Sequence, residues 1–364
     1  RGSGFLRRRE TGYLPTDGDV HVGERTIRQY ELRQGDEIDG EVRPSGKGRG
    51  PTLENVTGIN GRTPEQVKGR LEFTRLGAIH PNEQIKLECG LTRQGQPDFT
   101  NRVIDLLCPF GKGQRALIVA PAKAGKTMVL QSIAEGVTAN QPDAALFILL
   151  VDERPEEVFE MEAAGVGEVV ASSFDNPASQ HVRVAELILE RARRRVELGQ
   201  DVVLIVDSLT RLARAYNTVE KGTGRTLSGG LDAQSLEKPK RFLGSARRVD
   251  PAQGGGSLTI IATCLVDTGS KMDQVIFEEF KGTGNSELVL SRELAERRIF
   301  PAIDLVASAT RREELLLSEE ALAVSRLLRH RIAGMPTVAA MNDLTTDMRR
   351  ARTNDELVRT LAAG

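Results

Sequence analysis

The sequence contains no tryptophan, few other aromatic residues and no hydrophobic run long enough to cross a membrane. Its longest wholly apolar run is AALFILLV, residues 144–151, whereas a membrane-spanning helix needs about 20 apolar residues. This run instead predicts a buried strand. The cysteines, Cys89, Cys108 and Cys264, are odd in number and lack metal-ligand spacing, which favours neither a disulfide framework nor a zinc site. We expect Cys264, inside SLTIIATCLV, to be a packing residue, and the composition suits a reducing cytoplasm.

A strong excess of charge of either sign is also missing. The chain has 50 basic and 51 acidic side chains among 364 residues, a net charge of −1 and a pI of about 6.6. Proteins that bind nucleic acid over their whole surface are usually strongly basic. Any RNA contact must therefore be local and carried by particular loops. The chain opens on Arg1 without a Met or a signal-peptide pattern, which predicts that it lacks its natural N-terminus.

The pattern of strands and helices changes along the chain. Residues 1–58 contain short candidate strands broken by glycine turns, which predicts a small β-barrel, and residues 59–90 carry the turn residues of a domain boundary. Beyond them, apolar runs alternate with helical stretches, which indicates a parallel sheet covered on both faces. These runs are ALIVA (116–120), ALFILLV (145–151), EVVAS (168–172), DVVLIVD (201–207) and SLTIIATCLV (257–266). Thr353 followed by Glu356 predicts a capping box for a last helix.

The stretch GQRALIVAPAKAGKT, residues 113–127, is typical of a phosphate-binding loop between a strand and a helix. It has Ala120 where the pattern GxxxxGK[ST] has glycine, but an Ala-Pro start can make the turn if the φ of Ala120 stays negative. Backbone N–H groups and the helix N-terminus would face the phosphates. Lys126 would lie at the β- and γ-phosphates and Thr127 at Mg²⁺, with extra charge from Lys123. We interpret the stretch as a nucleotide site rather than a chance strand-turn-helix.

Acidic residues end two other predicted strands. Asp207 closes DVVLIVD, the position of a carboxylate that holds Mg²⁺ through water, and Glu153 follows ALFILLV. Because carboxyl ends of parallel strands share one edge, these acids and Thr127 should converge. A carboxylate there can orient or deprotonate the water that attacks a triphosphate. Hydrolysis also needs positive charge on the γ-phosphate, often from a neighbouring subunit, and Arg298 and Arg311 are candidates that sequence arithmetic does not single out.

These motifs resemble those of the bacterial Rho transcription termination factors over essentially the whole chain. The resemblance also rests on VDERPEEV, DSLTRLARAYN, LSGGLDAQSLEKPKRFLGSAR, DTGSKMDQVIFEEFKGTGN and ERRIFPAIDLVASATRREELL. It implies an α/β fold, a RecA-like P-loop ATPase core preceded by a small OB-type β-barrel. The implied domains are an RNA-binding barrel (1–58), a linker region (59–90) and an ATPase domain with C-terminal helices (91–364).

The same resemblance implies an RNA-dependent ATPase that uses ATP and Mg²⁺. Such a protein forms a homohexameric ring, moves 5′ to 3′ along nascent single-stranded RNA and terminates transcription in the cytoplasm. RNA polymerase and elongation factors would be further partners, and no membrane is involved.

Roles for individual residues follow from the resemblance. Glu153 would activate water, Arg154 would lie near the γ-phosphate and Phe300 would stack on adenine. Arg311 would be an arginine finger reaching across the subunit interface, with Arg298 in support. The residues implied around the nucleotide are Gly111, Lys112, Gly113, Gln114, Arg115, Ala116, Lys123, Ala124, Gly125, Lys126, Thr127, Met128 and Asp207, with Thr127 and Asp207 holding Mg²⁺.

Two RNA-binding regions are implied as well. RGSGFLR resembles the base-stacking stretch of the barrel, whereas GRTLSGG (224–230) resembles the first RNA-gripping loop of a central channel. Lys271, with Lys281-Gly282-Thr283-Gly284, lies in or beside the second such loop. Glycine-rich loops with sparse polar side chains suit contact with phosphates and 2′-hydroxyls. Ser3, His21 and Gly50-Pro51 stand where the family often has aromatics, and each lost stacking partner would remove about 1–3 kcal/mol. The implied RNA-binding residues are Gly2, Ser3, Gly4, Phe5, Leu6, Arg7, Asp19, Val20, His21, Arg225, Thr226, Leu227, Ser228, Gly229, Gly230, Lys271 and Lys281.

Two other functions share some of these features. Rotary ATP synthase or secretion ATPases also join a small barrel to this core, but RGSGFLR, the Ala-Pro loop and the GTGN segment argue against them. A non-hydrolysing RNA-binding scaffold is the third possibility. The intact set of Lys126, Thr127, Glu153 and Asp207 argues against it.

Overall fold

The computed structural model describes residues 2–44, 50–93, 95–220, 229–232 and 234–362. The strands in these ranges are β1 (Gly4–Leu6), β2 (Val20–Val22), β3 (Ile38–Arg43), β4 (Thr52–Ile59), β5 (Ala78–Ile79), β6 (Thr92–Arg93), β7 (Gln96–Pro97), β8 (Arg115–Pro121), β9 (Ala145–Val151), β10 (Glu168–Ser172), β11 (Asp201–Asp207), β12 (Arg247–Val249), β13 (Ser257–Val266), β14 (Ser286–Val289) and β15 (Ala309–Thr310). The helices are α1 (Glu24–Gln29), α2 (Pro64–Val67), α3 (Thr100–Leu107), α4 (Lys126–Asn140), α5 (Pro155–Ala163), α6 (Ala178–Val196), α7 (Leu209–Val219), α8 (Glu237–Gly244), α9 (Lys271–Lys281), α10 (Arg292–Glu296), α11 (Glu319–Ile332), α12 (Thr337–Arg350) and α13 (Asn354–Ala362).

A mainly parallel sheet forms the centre of the larger domain. Its strand order is β10-β9-β11-β13-β8-β14-β15, in which β15 is antiparallel and the other neighbours are parallel. The predicted apolar runs form β8 to β11 and β13, as expected, and Cys264 is fully buried in β13. Helices α3, α4 and α11 to α13 cover one face, while α6, α7 and α9 cover the other. This layering brings the carboxyl ends of β8, β9 and β11 to one edge of the sheet.

The N-terminal region forms its own small β-structure. Strands β1, β2, β4 and β3 pair in that order around a separate core that includes Val22, Val56 and Ile59. The prediction of short strands in this region is therefore confirmed. The predicted domain boundaries stay a prediction. Phe73 and Ile85, from the expected linker, pack into the cores of the larger domain, and β5 pairs with β12 at the edge of the large sheet.

The N-terminal structure is fixed against α6 by close backbone contact and paired charges. A Cβ added at Gly35 would lie 2.5 Å from the backbone carbon of Glu190, so a side chain does not fit there. Arg33 donates to the carboxylate of Glu197 at 2.9 Å, and this carboxylate is fully buried. Arg70 at 3.4 Å and Arg194 at 3.0 Å contact the same carboxylate, so a network of charges around Glu197 holds the two parts together.

The segment expected to form the second RNA loop is mostly helical. Residues 271–281 form α9, which begins after Ser270, whose hydroxyl accepts a hydrogen bond from the Asp273 N–H at 3.4 Å. Ile276 and Phe280 are fully buried. Their i, i+4 spacing places both on one buried face, which is why these residues form a helix rather than a loop.

Two further expectations concern the chain end and the membrane. Thr353 Oγ1 accepts from the Glu356 N–H at 3.2 Å, which confirms the first half of the capping box. The Glu356 carboxylate accepts from the Arg352 N–H at 2.6 Å, one residue earlier than expected. Within the ranges described, no helix combines the length and apolarity needed to span a bilayer.

Candidate nucleotide site and RNA-facing surfaces

The phosphate-loop sequence folds as strand, turn and helix. β8 ends at Pro121 and α4 begins at Lys126. Ala120 is fully buried within β8, and the positive φ angles fall on Lys123 (63°) and Gly125 (82°). The chain is still extended at Ala120, so no glycine is needed there, as predicted. The remaining loop residues differ in exposure: Lys123 and Met128 are exposed, Thr127 is partly exposed and Ala124 is buried.

Three charged groups meet beyond the carboxyl ends of β8, β9 and β11. Lys126 Nζ lies 3.1 Å from Glu153 Oε1 and 2.7 Å from the Asp207 carboxylate. Asp207 also accepts a hydrogen bond at 2.7 Å from Thr263 Oγ1 on β13. Glu153 is 2% exposed and Asp207 is 3% exposed. The predicted convergence of the strand-end acids on the phosphate loop is confirmed.

The electrostatics of this cluster suit proton handling near neutral pH. Burial, followed by repulsion from Asp207, raises the pKa of Glu153 to about 7, although Lys126 and Arg211 oppose the shift. Burial lowers the pKa of Lys126, but attraction to Asp207 and Glu153 outweighs it and raises that pKa overall. Glu153 can therefore accept a proton while Lys126 stays a cation.

Arg211 is a member of the cluster that the sequence analysis missed. It lies in the first turn of α7, where the N-cap Ser208 Oγ accepts from its backbone N–H at 3.2 Å. Its guanidinium lies 3.0 Å from Asp152 Oδ2 and 3.3 Å from Glu153 Oε1. The available signal was its position, because Arg211 lies in the first turn of the helix that follows β11 and so stays at the carboxyl edge where that strand ends.

A further missed residue is Glu157 on α5. Carboxylate oxygens of Glu153, Glu157 and Asp207 lie within 4.8 Å of one another. The sequence analysis assigned Mg²⁺ to Thr127 and Asp207. Mg²⁺ prefers oxygen ligands and usually binds through one or two carboxylates plus phosphates. A hydroxyl on the first turn of α4 and a carboxylate at the end of β11 fit that preference.

Phe300 lies at the same edge of the sheet. A Cβ added at Gly125 would be 3.5 Å from Phe300 Cε1, and Phe300 is 39% exposed. Arg298, two residues earlier, is exposed and has a positive φ of 59°. Arg154 is exposed at the N-cap of α5, directly after Glu153. The expected ring therefore lies beside the phosphate loop, with Arg298 two residues before it in the sequence and Arg154 directly after Glu153.

Arg311 lies at the opposite edge. Its N–H donates to the Asn285 carbonyl at 2.9 Å, directly after β15, and Thr310 pairs with Ser286 beside the start of β8. The six steps from Arg115 to Pro121 along β8 span about 20 Å. Within one chain, Arg311 therefore cannot reach the phosphate loop at Lys126.

The GKGQRA stretch, expected beside a nucleotide, is also at this opposite edge, so within one chain it lies away from the phosphate loop. Gly111, Lys112, Gly113, Gln114, Arg115 and Ala116 lead into β8 instead of following it. Their side chains fix this edge: Lys112 Nζ lies 2.5 Å from Glu83 Oε1, and Gln114 Nε2 donates to Asn285 Oδ1 at 2.7 Å. Packing explains one glycine of this stretch, because a Cβ added at Gly113 would lie 2.2 Å from the Arg248 backbone nitrogen.

The N-terminal surface presents an aromatic pair. Phe5 is 54% exposed and opposes His21 across β1 and β2, with ring centroids 5.5 Å apart and an interplanar angle of 71°. The Arg7 guanidinium lies 5.3 Å from the Phe5 centroid and pairs with the buried Asp19. His21 thus supplies a ring where an aromatic was expected to be missing. Gly2 and Ser3 are exposed beside it, while Gly4, Leu6 and Val20 are partly buried.

The expected channel residues that the structure describes lie at the two ends of α9 and in the segment that packs against its start. Lys271 is its exposed first residue and Lys281 its exposed last one. Gly229 packs against this start, because an added Cβ would lie 2.6 Å from the Met272 backbone nitrogen. Gly230 is exposed. The other expected loop residues, Arg225, Thr226, Leu227 and Ser228, lie outside the residues that the structure describes.

Helix α7 carries two separate ion pairs, one with α9 and one with the acidic cluster. The buried Asp273 carboxylate accepts from Arg214 at 2.7 and 2.5 Å. Arg214 lies three residues after Arg211 on α7, and Arg211 contacts Glu153. Lys271 precedes Asp273 by two residues in α9. A shift of α9 can therefore act on Glu153 through two arginines of one helix.

Comparison with known proteins agrees with both parts of the fold. Residues 100–310 match the nucleotide-binding domain of the ATP synthase alpha/beta family, and residues 1–65 match the RNA-binding domain of the Rho termination factor. The chain is 53% identical over 358 residues to transcription termination factor Rho of Gemmatimonas aurantiaca, covering 98% of this chain and 48% of that protein. It is 52% identical over 356 residues to the protein of that name in Pseudomonas aeruginosa, covering 98% and 84% of the two chains.

Solved structures with this architecture include secretion ATPases. A prototypical ATPase from the type III secretion system of pathogenic bacteria superposes with a TM-score of 0.60 and 25% identity, over 71% of this chain and 82% of that one. The assembled ATPase EscN of enteropathogenic E. coli gives a TM-score of 0.60 and 26% identity, over 82% and 68%. The predicted α/β core and its small N-terminal barrel are confirmed by these matches together with the family matches.

Proposed function

The chain belongs to the Rho family of transcription termination factors, and from that premise we propose that it is an RNA-dependent ATPase that moves along nascent RNA and ends transcription. The observation that carries the proposal is the pair of contacts made by α7, Arg214 with Asp273 of α9 and Arg211 with Glu153. It joins a surface that can hold RNA to a carboxylate that can handle water. A nucleotide site without RNA coupling does not need these contacts.

The hydrolytic step is proposed to use groups already in place. Lys126, now bonded to Glu153 and Asp207, binds the β- and γ-phosphates of ATP and leaves Glu153 free to orient or deprotonate the attacking water. Thr127 and Asp207 would hold Mg²⁺, which neutralises phosphate charge when bound. Phe300 would stack on the base. Burial of Glu153 strengthens its interaction with the reacting groups, because water no longer screens it.

The arginine finger is proposed to act between subunits. Arg311 lies about 20 Å from its own phosphate loop along β8, so only a neighbour's nucleotide is within its reach. Arg115, near Arg311 at the same edge, would approach that nucleotide too. This arrangement would reconcile the GKGQRA expectation with the fold, because the stretch would serve the adjacent site. It requires an oligomer, and we propose the homohexameric ring.

RNA is proposed to bind twice. Phe5, His21 and Arg7 would capture bases on the barrel, and the start of α9 with Gly229 and Gly230 would hold the backbone in the channel. The second site lies on α9, whose Asp273 pairs with Arg214 of α7, and the same helix α7 carries Arg211 beside Glu153. RNA polymerase and elongation factors as partners, and a cytoplasmic location, complete the proposal and rest on the family alone.

The test is ATP turnover measured with and without single-stranded RNA. We expect slow ATP hydrolysis without RNA and faster hydrolysis with it. Lys126→Ala should abolish hydrolysis under both conditions. Lys86→Ala, a matched variant at an exposed lysine, should keep both rates. Hydrolysis that RNA does not change would favour a secretion-type ATPase. No hydrolysis under either condition, with RNA still bound, would favour the non-hydrolysing scaffold.

A further inference from the structure

A second concave surface lies at the amino edge of the large sheet, away from Lys126. It is a cavity of about 830 Å³ between the end of α6, helix α8, strand β12 and the end of α9. Arg193 and Arg247 line its wall. We call it the Arg193–Arg247 cavity. None of the roles assigned above involves either arginine.

Three guanidinium groups converge on two consecutive residues behind this wall. Arg193 Nη2 donates to Ser245 Oγ at 2.5 Å, Arg247 Nε donates to the Ser245 carbonyl at 3.3 Å and Arg115 Nη1 donates to the Ala246 carbonyl at 3.3 Å. These acceptors are neutral. Among the residues that the structure describes, the one carboxylate paired with this group is that of Glu190, 2.6 Å from Arg193. The group therefore keeps an excess of positive charge.

The positively charged arginines of this group repel one another. Burial, then the nearby Arg193 and Arg115, lowers the pKa of Arg247. The Nε of Arg193 is buried and has no hydrogen-bond partner in the described structure. Phe73 keeps the two wall arginines in place, since their guanidinium carbons lie 5.4 and 4.5 Å from its ring centroid. Among the described residues, Arg247 donates through Nε alone, which leaves its Nη1 and Nη2 groups for an anion, and Arg193 adds a second positive charge beside them.

We propose that the Arg193–Arg247 cavity binds a small phosphate-bearing anion, such as the pyrophosphate group of a nucleotide or free pyrophosphate. The planar fork of arginine matches phosphate oxygens in a bidentate way. The volume of about 830 Å³ falls in the range of about 300–1,000 Å³ usual for small-molecule sites.

The rim of the cavity selects a compact anion over an RNA strand. Lys240 and Glu279 pair there at 2.6 Å, and Arg241 pairs with Glu237. These pairs neutralise the outer cations, and their carboxylates would repel a polyanion that crosses the rim.

The experiment measures pyrophosphate binding by calorimetry in the full chain carrying Lys126→Ala, which removes the phosphate-loop lysine. We expect saturable binding, weakened at least tenfold by adding Arg247→Ala. The matched control is Arg248→Ala, the next residue on β12, whose side chain pairs with Glu83 at 2.8 Å. It should weaken binding less than twofold.

A second variant keeps the test decisive if Arg247→Ala unfolds. Ser245→Asp places a carboxylate among the three guanidiniums, so it should fold and should abolish pyrophosphate binding. Thermal unfolding provides the check on folding, and pyrophosphate should raise the melting temperature only in proteins that bind it. Absence of binding in the Lys126→Ala chain, equal weakening by Arg248→Ala, or full binding in Ser245→Asp would each overturn the proposal.

Discussion

Replacing Glu153 with glutamine should stop hydrolysis and, at alkaline pH, stabilise the fold. Glutamine keeps the size of the side chain, so ATP binding should be nearly normal while the step that uses the carboxylate fails. General-base groups typically contribute about 10²–10⁴-fold to a rate. We therefore expect turnover to fall at least a hundredfold.

The stability effect follows from the pKa of Glu153, which rises from 4.5 to about 7 in the fold. Below pH 4.5 both states are protonated, and folding carries no penalty. Between pH 4.5 and 7 the unfolded chain has already released the proton that the folded protein still holds, so the free energy of unfolding falls as pH rises through this window and levels off above pH 7. A shift of about 2.5 units corresponds to about 3 kcal/mol at most. For a chain of this length, that is about 4 °C in melting temperature.

The assay is thermal unfolding of wild type and Glu153→Gln between pH 5.5 and 8.5 without nucleotide, beside ATP turnover. The variant should gain melting temperature over wild type as pH rises. Glu160→Gln, an exposed acid on α5, is the control and should show no such trend. If Glu153→Gln melts at or below the wild-type temperature at pH 8.5, or keeps its turnover, the reasoning about this carboxylate fails.

Three further predictions concern assembly and coupling. Arg311→Ala and Lys126→Ala should each be inactive alone, but mixed rings should recover part of the ATP turnover, since some interfaces join an intact loop to an intact finger; no recovery in confirmed mixed rings would place Arg311 outside the reaction or in cis. Lys271→Ala should lose RNA stimulation of turnover yet retain RNA capture in filter binding, and Phe5→Ala should show the reverse with excess short RNA; normal stimulated turnover in Lys271→Ala would refute the channel role. Arg214→Ala should leave basal turnover within about threefold but remove RNA stimulation, because the buried Asp273 carboxylate of α9 loses its contact with α7; unchanged stimulation would show that coupling follows another route.

The sheet and the phosphate loop could be predicted because their signals are local. An apolar run such as DVVLIVD predicts a buried strand. The residue that ends it, Asp207, must then lie at the carboxyl edge of the sheet. The GKT ending of the loop fixes Lys126 in the same way. These positions depend on strand direction alone, which the parallel pattern of strand and helix determines.

The roles of the remaining site residues depend on which helices and strands pack against each other, and no single segment of the sequence contains that information. Arg211 and Arg214 look like ordinary charges on a helix until Glu153 and Asp273 are placed against them. β14 was not foreseen because SELV is short and partly polar. GKGQRA was assigned to the nucleotide by resemblance, and its position before β8 shows that it lies at the far edge of its own chain.

The separation of Lys126 from Arg311 has a consequence for how activity scales with assembly. If Arg311 acts on a neighbour's nucleotide as proposed, each protomer offers half of a site on one edge of its sheet and the complementary half on the other, and the subunits would join head to tail. An open row of such subunits always leaves one loop and one finger unused, and a closed ring leaves none. Turnover per chain should then rise with the length of an open assembly and gain a last increment when it closes, a cooperativity that comes from geometry before any ligand contributes to it.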